Sequence, residues 1–384
     1  MSYNLWNDCP KVPITELLSF IVDNRGKTVP TAEKGHKLIA TNCVTNNTLF
    51  PVYEKVRYLS EETYQNWFRA HPLPGDILFV NKGTPGRVCM VPDPVDFCIA
   101  QDMIALRADD SKVYNKYLFA VLRSNVIQQQ IYNTNVGDVI PHFKKQFMDQ
   151  LLIPVPDRKI QEAIGDLYYT LSYKTELNKK INDNLQQQAY ALFESWFVDF
   201  DRTDGEMPTD WREGTLSEIA AITSGKRPPI KQSTATDDVM IPLVGAASIM
   251  GFTNAVLYNE PILVTGRVGT HGVVQRFQSP CWTSDNTLVI KSDYYEYTFQ
   301  ALQRIDYVNM NRGSTQPLIT QTDLKNVSIV IPAESVLLEY EKIAGALMAM
   351  YESNRKENER LAILRDTLLP RLMNGEIDVS DIYA

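Results

Sequence analysis

Two kinds of hydrophobic pattern alternate along the chain. Short apolar runs such as DILFV, RVCMV, NTLVI and VSIVI are divided by Gly, Pro and Asn, which predicts short strands separated by turns. From Ile160 to about Phe197 the pattern becomes helical, with no proline and only Gly165 as a weak point. Ile164, Leu171, Asn178, Leu185 and Leu192 recur every seven residues, and Leu167, Lys174, Ile181 and Gln188 make a second, more polar row. After Pro332 the same spacing returns in Leu347, Asn354, Leu361 and Leu368, with Ile343, Met350 and Leu364 beside them. These rows predict the seam of a coiled coil, one helix from each half of the chain. Each helix carries the chain to or from a globular segment, so the simplest closed arrangement is an antiparallel pair with a domain near each end. Asn178 and Asn354 interrupt the apolar rows, where an Asn either fixes register or sits at a wet edge of the seam; both readings stand.

The order of motifs repeats. PGDILFVNKGTPGRVCMV, CIAQDMIALR, NTNVGDVIPHFKKQFMDQLLIPVP and a long helix in the first half are answered by PILVTGRVGTHGVVQRF, CWTSDNTLVI, NRGSTQPLITQTDLKNVSIVIP and a long helix in the second. Each half contains Gly-Thr-x-Gly (Gly83 to Gly86; Gly269 to Gly272) followed by Cys-x-x-x-Asp (Cys98 and Asp102; Cys281 and Asp285). The openings agree as well, since ITELLSFIVDNRGKTVP resembles LSEIAAITSGKRPP. Several matched features in one order indicate a duplicated unit. The expected fold class is α+β: two domains of mixed structure joined by two long antiparallel helices, with a pseudo-two-fold internal repeat. The expected boundaries are 1–155 for the first domain, 156–205 for the first helical region, 206–333 for the second domain and 334–384 for the second helical region.

Charge follows the same division. The net charge of −8 looks unsuited to a polyanionic partner, yet residues 1–150 hold 16 Lys+Arg against 15 Asp+Glu, and 211–330 hold 10 against 10. The excess acid lies in 151–210 (6 against 11) and 331–384 (6 against 10), the helical segments. A neutral domain still binds phosphates if its basic residues share a face. Cys9, Cys43, Cys89, Cys98 and Cys281 are odd in number and widely spaced, which argues for reduced buried thiols over a disulfide framework or a zinc site. No run reaches the ~20 apolar residues needed to span a bilayer and the start lacks a signal-peptide pattern, so a soluble cytoplasmic protein without membrane contact is expected.

The motifs of enzymes are missing. The chain has no dinucleotide or phosphate-binding glycine loop, no nucleophile elbow, no zinc helix and no Asn/Asp-Pro-Pro-aromatic loop of amino-group methyltransferases. Acid-x-Lys triplets of the nuclease kind occur at Asp110 to Lys112, Asp157 to Lys159 and Asp323 to Lys325, without a partner acid, and read as solvated surface charge. No catalytic residue and no metal ligand is therefore expected.

What the two neutral segments do offer is polar loops suited to phosphates and base edges. Gly-Thr-x-Gly with Lys82, Thr84 and Arg87 in the first half, and with Arg267, Thr270 and His271 in the second, presents N–H groups and a hydroxyl beside a guanidinium. The same residues equally suit a plain hairpin turn. Arg25 and Lys27, with Lys226 and Arg227, form a second pair of loops, and Asn133 and Asn135, with Arg312, Ser314 and Gln316, a third. Asn and Gln pair bidentately with adenine and Arg with guanine.

The stretch QEAIGDLYYTLSYKTELNKKINDNLQQQAYALFESWFVDFD resembles the central helical region of Type I restriction-modification specificity subunits, and LAILRDTLLPRLMNGEIDVSD resembles the end of their second helical region. MPTDW with LSEIAAITSGKRPP is similar to the start of their second target-recognition domain. The resemblance covers essentially the whole chain. It implies a non-catalytic protein whose two target-recognition domains each read half of a bipartite, asymmetric double-stranded DNA site. The helices would serve as spacer and dock two modification (methyltransferase) subunits, and restriction/translocase subunits would join them. It further implies that S-adenosylmethionine, ATP and Mg belong to those partners and that this chain binds no cofactor. Coiled-coil and docking positions would be Ile164, Leu171, Asn178, Ile181, Leu185, Trp196 and Phe197 in the first helix, and Leu347, Asn354, Leu361 and Leu368 in the second. A 38-residue helix spans roughly 57 Å at ~1.5 Å per residue, about one and a half turns of B-DNA. The second helix follows IPAESVLLEYEKIAG and lacks the Gln that the first shows at Gln161, which leaves the symmetry of the two docking faces open. Two other readings remain: the specificity subunit of a related system that cuts on both sides of its site, and a coiled-coil scaffold that never touches DNA.

Overall fold

The computed structural model describes residues 4–24, 26–134, 140–268, 270, 272–310 and 318–377. It forms two compact units, residues 1–181 with 354–384 and residues 182–353, so each unit takes one globular segment and a part of both long helices.

The first unit is built from nine strands: β1 (Lys11–Pro13), β2 (Leu18–Asp23), β3 (His36–Ile39), β4 (Arg57–Leu59), β5 (Ile77–Val80), β6 (Val88–Met90), β7 (Phe97–Ile99), β8 (Met103–Ala108) and β9 (Leu152–Pro154). They form a four-stranded antiparallel sheet in the order β2-β8-β5-β6, a three-stranded sheet β4-β3-β7 in which β3 and β7 are parallel, and the pair β1-β9. β5 reads as a continuous apolar run because both faces of its sheet are covered. Ile77 and Phe79 face helix α1 (Asn115–Leu122), Ile164 and Leu372, while Leu78 and Val80 face Ile39, Phe97 and Ile99.

The second unit repeats this plan strand for strand. It contains β10 (Arg212–Thr215), β11 (Ala221–Ser224), β12 (Ile241–Val244), β13 (Ile249–Thr253), β14 (Ile262–Gly266), β15 (Gln275–Phe277), β16 (Trp282–Thr283), β17 (Thr287–Lys291) and β18 (Ser328–Ile331). The sheet orders are β11-β17-β14-β15, β13-β12-β16 with β12 and β16 parallel, and β10-β18. Helix α2 (Tyr295–Gln303) takes the place of α1. Agreement in order and direction across three sheets is the structural form of the internal repeat.

The long helices run over Arg158–Phe197 and Glu334–Met373. In the first unit they are antiparallel: Asn178 donates from Nδ2 to Glu357 Oε2 (2.6 Å) and Asn358 Oδ1 (2.9 Å), and Tyr168 meets Arg365. In the second unit Asn182 Nδ2 donates to the Tyr351 carbonyl (3.1 Å) and the Tyr340 hydroxyl to the Ala189 carbonyl (3.3 Å), the same antiparallel sense.

The seam differs from the expected one in its second row. Ile164, Asn178 and Leu185 are buried and Leu171 half-buried, as the first row requires. Beside them lie Gln161, Tyr168, Thr175, Asn182, Ala189 and Trp196, whereas Lys174, Ile181 and Gln188 face outward. In the other helix Leu347, Asn354, Leu361 and Leu368 are half-buried, and their companions are Leu337, Ala344, Tyr351, Asn358, Arg365 and Leu372; Ile343, Met350 and Leu364 are exposed. The inner row mixes aromatic and aliphatic residues toward the globular parts with small or polar ones such as Thr175, Asn182, Ala189 and Asn358 between them. Its polar groups satisfy themselves locally, as when Thr175 Oγ1 donates to the Leu171 carbonyl at 3.0 Å.

Trp196 and Phe197 are interior to the second unit. Phe197 packs its ring against Tyr297 (4.8 Å between centroids), Tyr340 (5.1 Å) and Trp211 (5.7 Å). They anchor the globular part to its helices and present no free face for a partner. The five cysteines are buried, and burial pushes the thiols of Cys98 and Cys281 up to about 12 and about 11.

Candidate nucleic-acid interface

In each unit one side chain of a long helix caps the short helix of the globular part. Gln161 accepts the Tyr114 N–H at 2.8 Å, occupying an orphan donor at the start of α1, while its Nε2 donates to the Pro156 carbonyl at 2.8 Å. In the second unit Glu341 accepts the N–H groups of Glu296 (3.0 Å) and Tyr297 (2.8 Å) at the start of α2. Counting from Gly165 and Gly345, Glu341 stands where Gln161 stands, so the seemingly missing Gln is replaced by its acid. Burial, reinforced by the Glu296 carboxylate, pushes the Glu341 carboxyl up to about 7 against those two bonds and the pull of Arg276. Arg276 itself makes a buried two-pronged ion pair with Glu296, 2.5 Å on each arm.

In the first unit Gly83-Thr84-Pro85-Gly86 closes the β5–β6 hairpin, with Gly83 (φ 86°) and Gly86 (φ 88°) both in the left-handed region that favours glycine. The turn reading is thus correct for the backbone, and it holds Arg87 out in solvent. Lys82 leaves the hairpin in a β-bridge with His142. Lys27 is exposed just after Gly26 (φ 63°), and exposed Asn133 ends a helix, its Oδ1 accepting from Gln129.

In the second unit Lys226 and Arg267 converge on one turn: the Lys226 N–H donates to the Thr283 carbonyl (2.9 Å) and the Arg267 N–H to the Asn286 carbonyl (2.8 Å). Lys226, Arg227 and Thr270 are exposed and Arg267 is half-buried. Gly225 is needed for close approach, since a Cβ there would lie 2.1 Å from the Ser284 carbonyl oxygen. Arg25, Asn135, His271, Arg312, Ser314 and Gln316 lie outside the described residues.

Three residues of this region escaped the sequence reading. His142, Lys144 and Lys145 come from PHFKK, whose signal was the paired lysines. Burial first, then the charges of Lys82 and Lys144, pulls the His142 imidazole below its ordinary value.

The helices also expose apolar side chains on each unit taken by itself. In the first, Tyr173, Leu177 and Ile181 share one face, and Ile363 and Leu364 are exposed; in the second, Leu338, Ile343 and Met350 are exposed. No described helix is long and apolar enough to cross a membrane.

The profile of the Type I restriction modification DNA specificity domain matches residues 27–187 and again 208–364, one copy for each structural repeat. The chain belongs to the family of Type I restriction-modification specificity subunits. It is 23% identical over 344 residues to the Type I restriction enzyme MjaIX specificity subunit of Methanocaldococcus jannaschii, covering 80% of this chain and 79% of that one. To the HindI specificity subunit of Haemophilus influenzae it is 22% identical over 399 residues, 79% of this chain and 86% of the other. The crystal structure of the Type I system S subunit from M. genitalium has the same fold, with a TM-score of 0.61 and 17% identity over 95% of this chain and 96% of that one. As a specificity subunit the chain recognises DNA sequence for its system and is not itself the enzyme.

Proposed function

We propose that the two repeats divide the work of recognition, each reading one half of a bipartite, asymmetric DNA site with unread base pairs between. The strand-for-strand duplication carries this reading, because it sets the same kind of polar, basic loop at the same sheet end of each unit. The loops around Lys27, Lys82, Thr84, Arg87 and Asn133 serve one half-site, and those around Lys226, Arg227, Arg267 and Thr270 the other. The exposed apolar face of Tyr173, Leu177 and Ile181 and that of Leu338, Ile343 and Met350 each dock one modification subunit, and restriction subunits join that complex in the cytoplasm. The long helices then set the spacer.

The test is modification-sensitive sequencing of DNA from cells expressing this chain with its adjacent modification subunit, against cells lacking this chain. The expected result is a two-part motif with a fixed gap and one methylated adenine in each part, lost without this chain. A continuous palindromic motif overturns the division between repeats. Unmodified DNA despite a stable complex favours a protein scaffold instead.

A further inference from the structure

The two repeats make matching backbone contacts just before the Gly-Thr-x-Gly segment but carry different side chains there. In the first unit Lys82 bridges His142, and the Phe143 N–H donates to the Asn81 carbonyl at 2.8 Å. In the second, Val268 bridges Leu318, and the Ile319 N–H donates to the Arg267 carbonyl at 3.0 Å. Two residues on, Lys145 pairs with Asp23, the last residue of β2, while Gln321 Nε2 donates to the Oγ of Ser224, the last residue of β11, at 2.8 Å. Three matching contacts fix the correspondence: Lys82 with Val268, His142 with Leu318, Lys144 with Thr320, and Lys145 with Gln321. At these four positions the first unit has three lysines and a histidine and the second has none, although the second carries Arg267 where the first has Asn81.

From this juxtaposition we infer that Lys82, His142 and Lys144 form a phosphate-binding site for the DNA backbone peculiar to the first recognition unit. The inference rests on the DNA-reading role of that unit and adds which residues hold the strand. Lys145 is neutralised by Asp23 and serves to fasten the segment. Among the described residues no carboxylate lies within ion-pair distance of Lys82 or Lys144, so both ammonium groups are available to a phosphate. Lys144 is exposed, His142 and Lys82 are half-buried, and exposed Arg87 sits on the adjoining turn. Such contacts position the protein without reading sequence, whereas the second unit offers Arg267 here, where the first has Asn81, in place of the lysines and histidine.

Counterion release makes the inference measurable. Each phosphate neutralised contributes about −0.9 to the slope of log K against log salt, so losing two lysines flattens it by about 1.8. The experiment titrates salt against binding of the assembled complex with its modification subunits to duplexes of about 40 base pairs, with and without its motif, long enough to cover a protein of this kind. Lys82→Gln with Lys144→Gln flattens the slope on both duplexes. Lys112→Gln, beyond the opposite end of β8, leaves the slope alone, and Val268→Lys with Thr320→Lys steepens it. Thermal unfolding of each variant separates lost contacts from lost folding. An unchanged slope in a folded double variant whose parent binds its motif overturns the site but not the DNA-reading role. A parent complex that binds no DNA overturns both.

Discussion

Glu341→Gln is the sharpest test of how the recognition domains are held. The carboxylate lies on the second long helix and caps α2 of its own unit with two bonds of 3.0 and 2.8 Å. The charges around it are Glu296, already paired with Arg276, and Arg276 itself. Burial, with Glu296, raises this carboxyl from 4.5 to about 7. The folded unit therefore holds the proton more tightly than the unfolded chain. The associated stability is fully present below the unfolded value and is lost as pH rises through the folded one, so the sensitive window is about pH 4.5 to 7. At ~1.36 kcal/mol for each tenfold change in proton affinity, a rise from 4.5 to about 7 amounts to about 3 kcal/mol across that window. The amide cannot titrate and keeps one acceptor oxygen, at a cost of about 1 kcal/mol for the bond it loses. The variant should thus be about 2 kcal/mol more stable than the parent at pH 8 and lose its advantage near pH 5. Denaturant titrations at several pH values, followed by the fluorescence of Trp196 and Trp211 inside the same unit, measure it. Parallel pH profiles for variant and parent would refute the reasoning, because Glu341 would then be charged at no cost. The reciprocal Gln161→Glu should import the same pH dependence into the first unit.

Other consequences are checked with less apparatus. Gly165→Ala should destabilise the first unit by several kcal/mol in thermal melts, because the new Cβ would lie 2.6 Å from the Tyr117 backbone nitrogen, whereas Gly345→Ala meets nothing within 4 Å and should add about 0.5–1 kcal/mol of helix stability. Leu177→Gln with Ile181→Gln should leave the chain's own melting within about 0.5 kcal/mol, since both are exposed, while weakening capture of the modification subunit in co-purification. Inserting seven residues into each long helix at matched heights keeps the heptads and should lengthen the gap in the methylated motif by about three base pairs, from ~10.5 Å of added helix; an active protein with an unchanged gap refutes the spacer role.

The duplication was legible in the chain because it is written in local signals: glycines that turn, a cysteine at fixed distance from an aspartate, proline before each long helix. Strand order was not, since β3 pairs with β7 across an intervening hairpin and no local preference encodes that choice. The helix seam shows where periodicity runs out. From the row through Ile164 and Asn178, a second row lies equally well three residues ahead or three behind, and Leu167 and Ile181 argue for ahead. The structure takes the row behind, through Tyr168, Thr175 and Ala189, where polar members such as Thr175 bond to their own helix and so can be buried. The basic site was hidden for another reason. Lys82 and His142 lie 60 residues apart in sequence and meet only through a β-bridge.

Duplication followed by divergence accounts for the pattern of differences between the repeats. The features shared between the repeats are those that packing enforces, such as sheet order, a buried cysteine in β7 or just before β16, and the hydrogen-bonded cap on α1 or α2. Where the repeats part company the changes are in charge: an amide cap against an acid, Lys145 with Asp23 against Gln321 with Ser224, Lys82 against Val268. A pair that changes together, ion pair to neutral bond, keeps the fold and frees the surface to vary, because neither member leaves the other buried and unmatched. Recognition of two different half-sites asks for just this freedom. The backbone that aims the loops is held constant, and the electrostatics and base-edge chemistry presented by those loops differ between the two units.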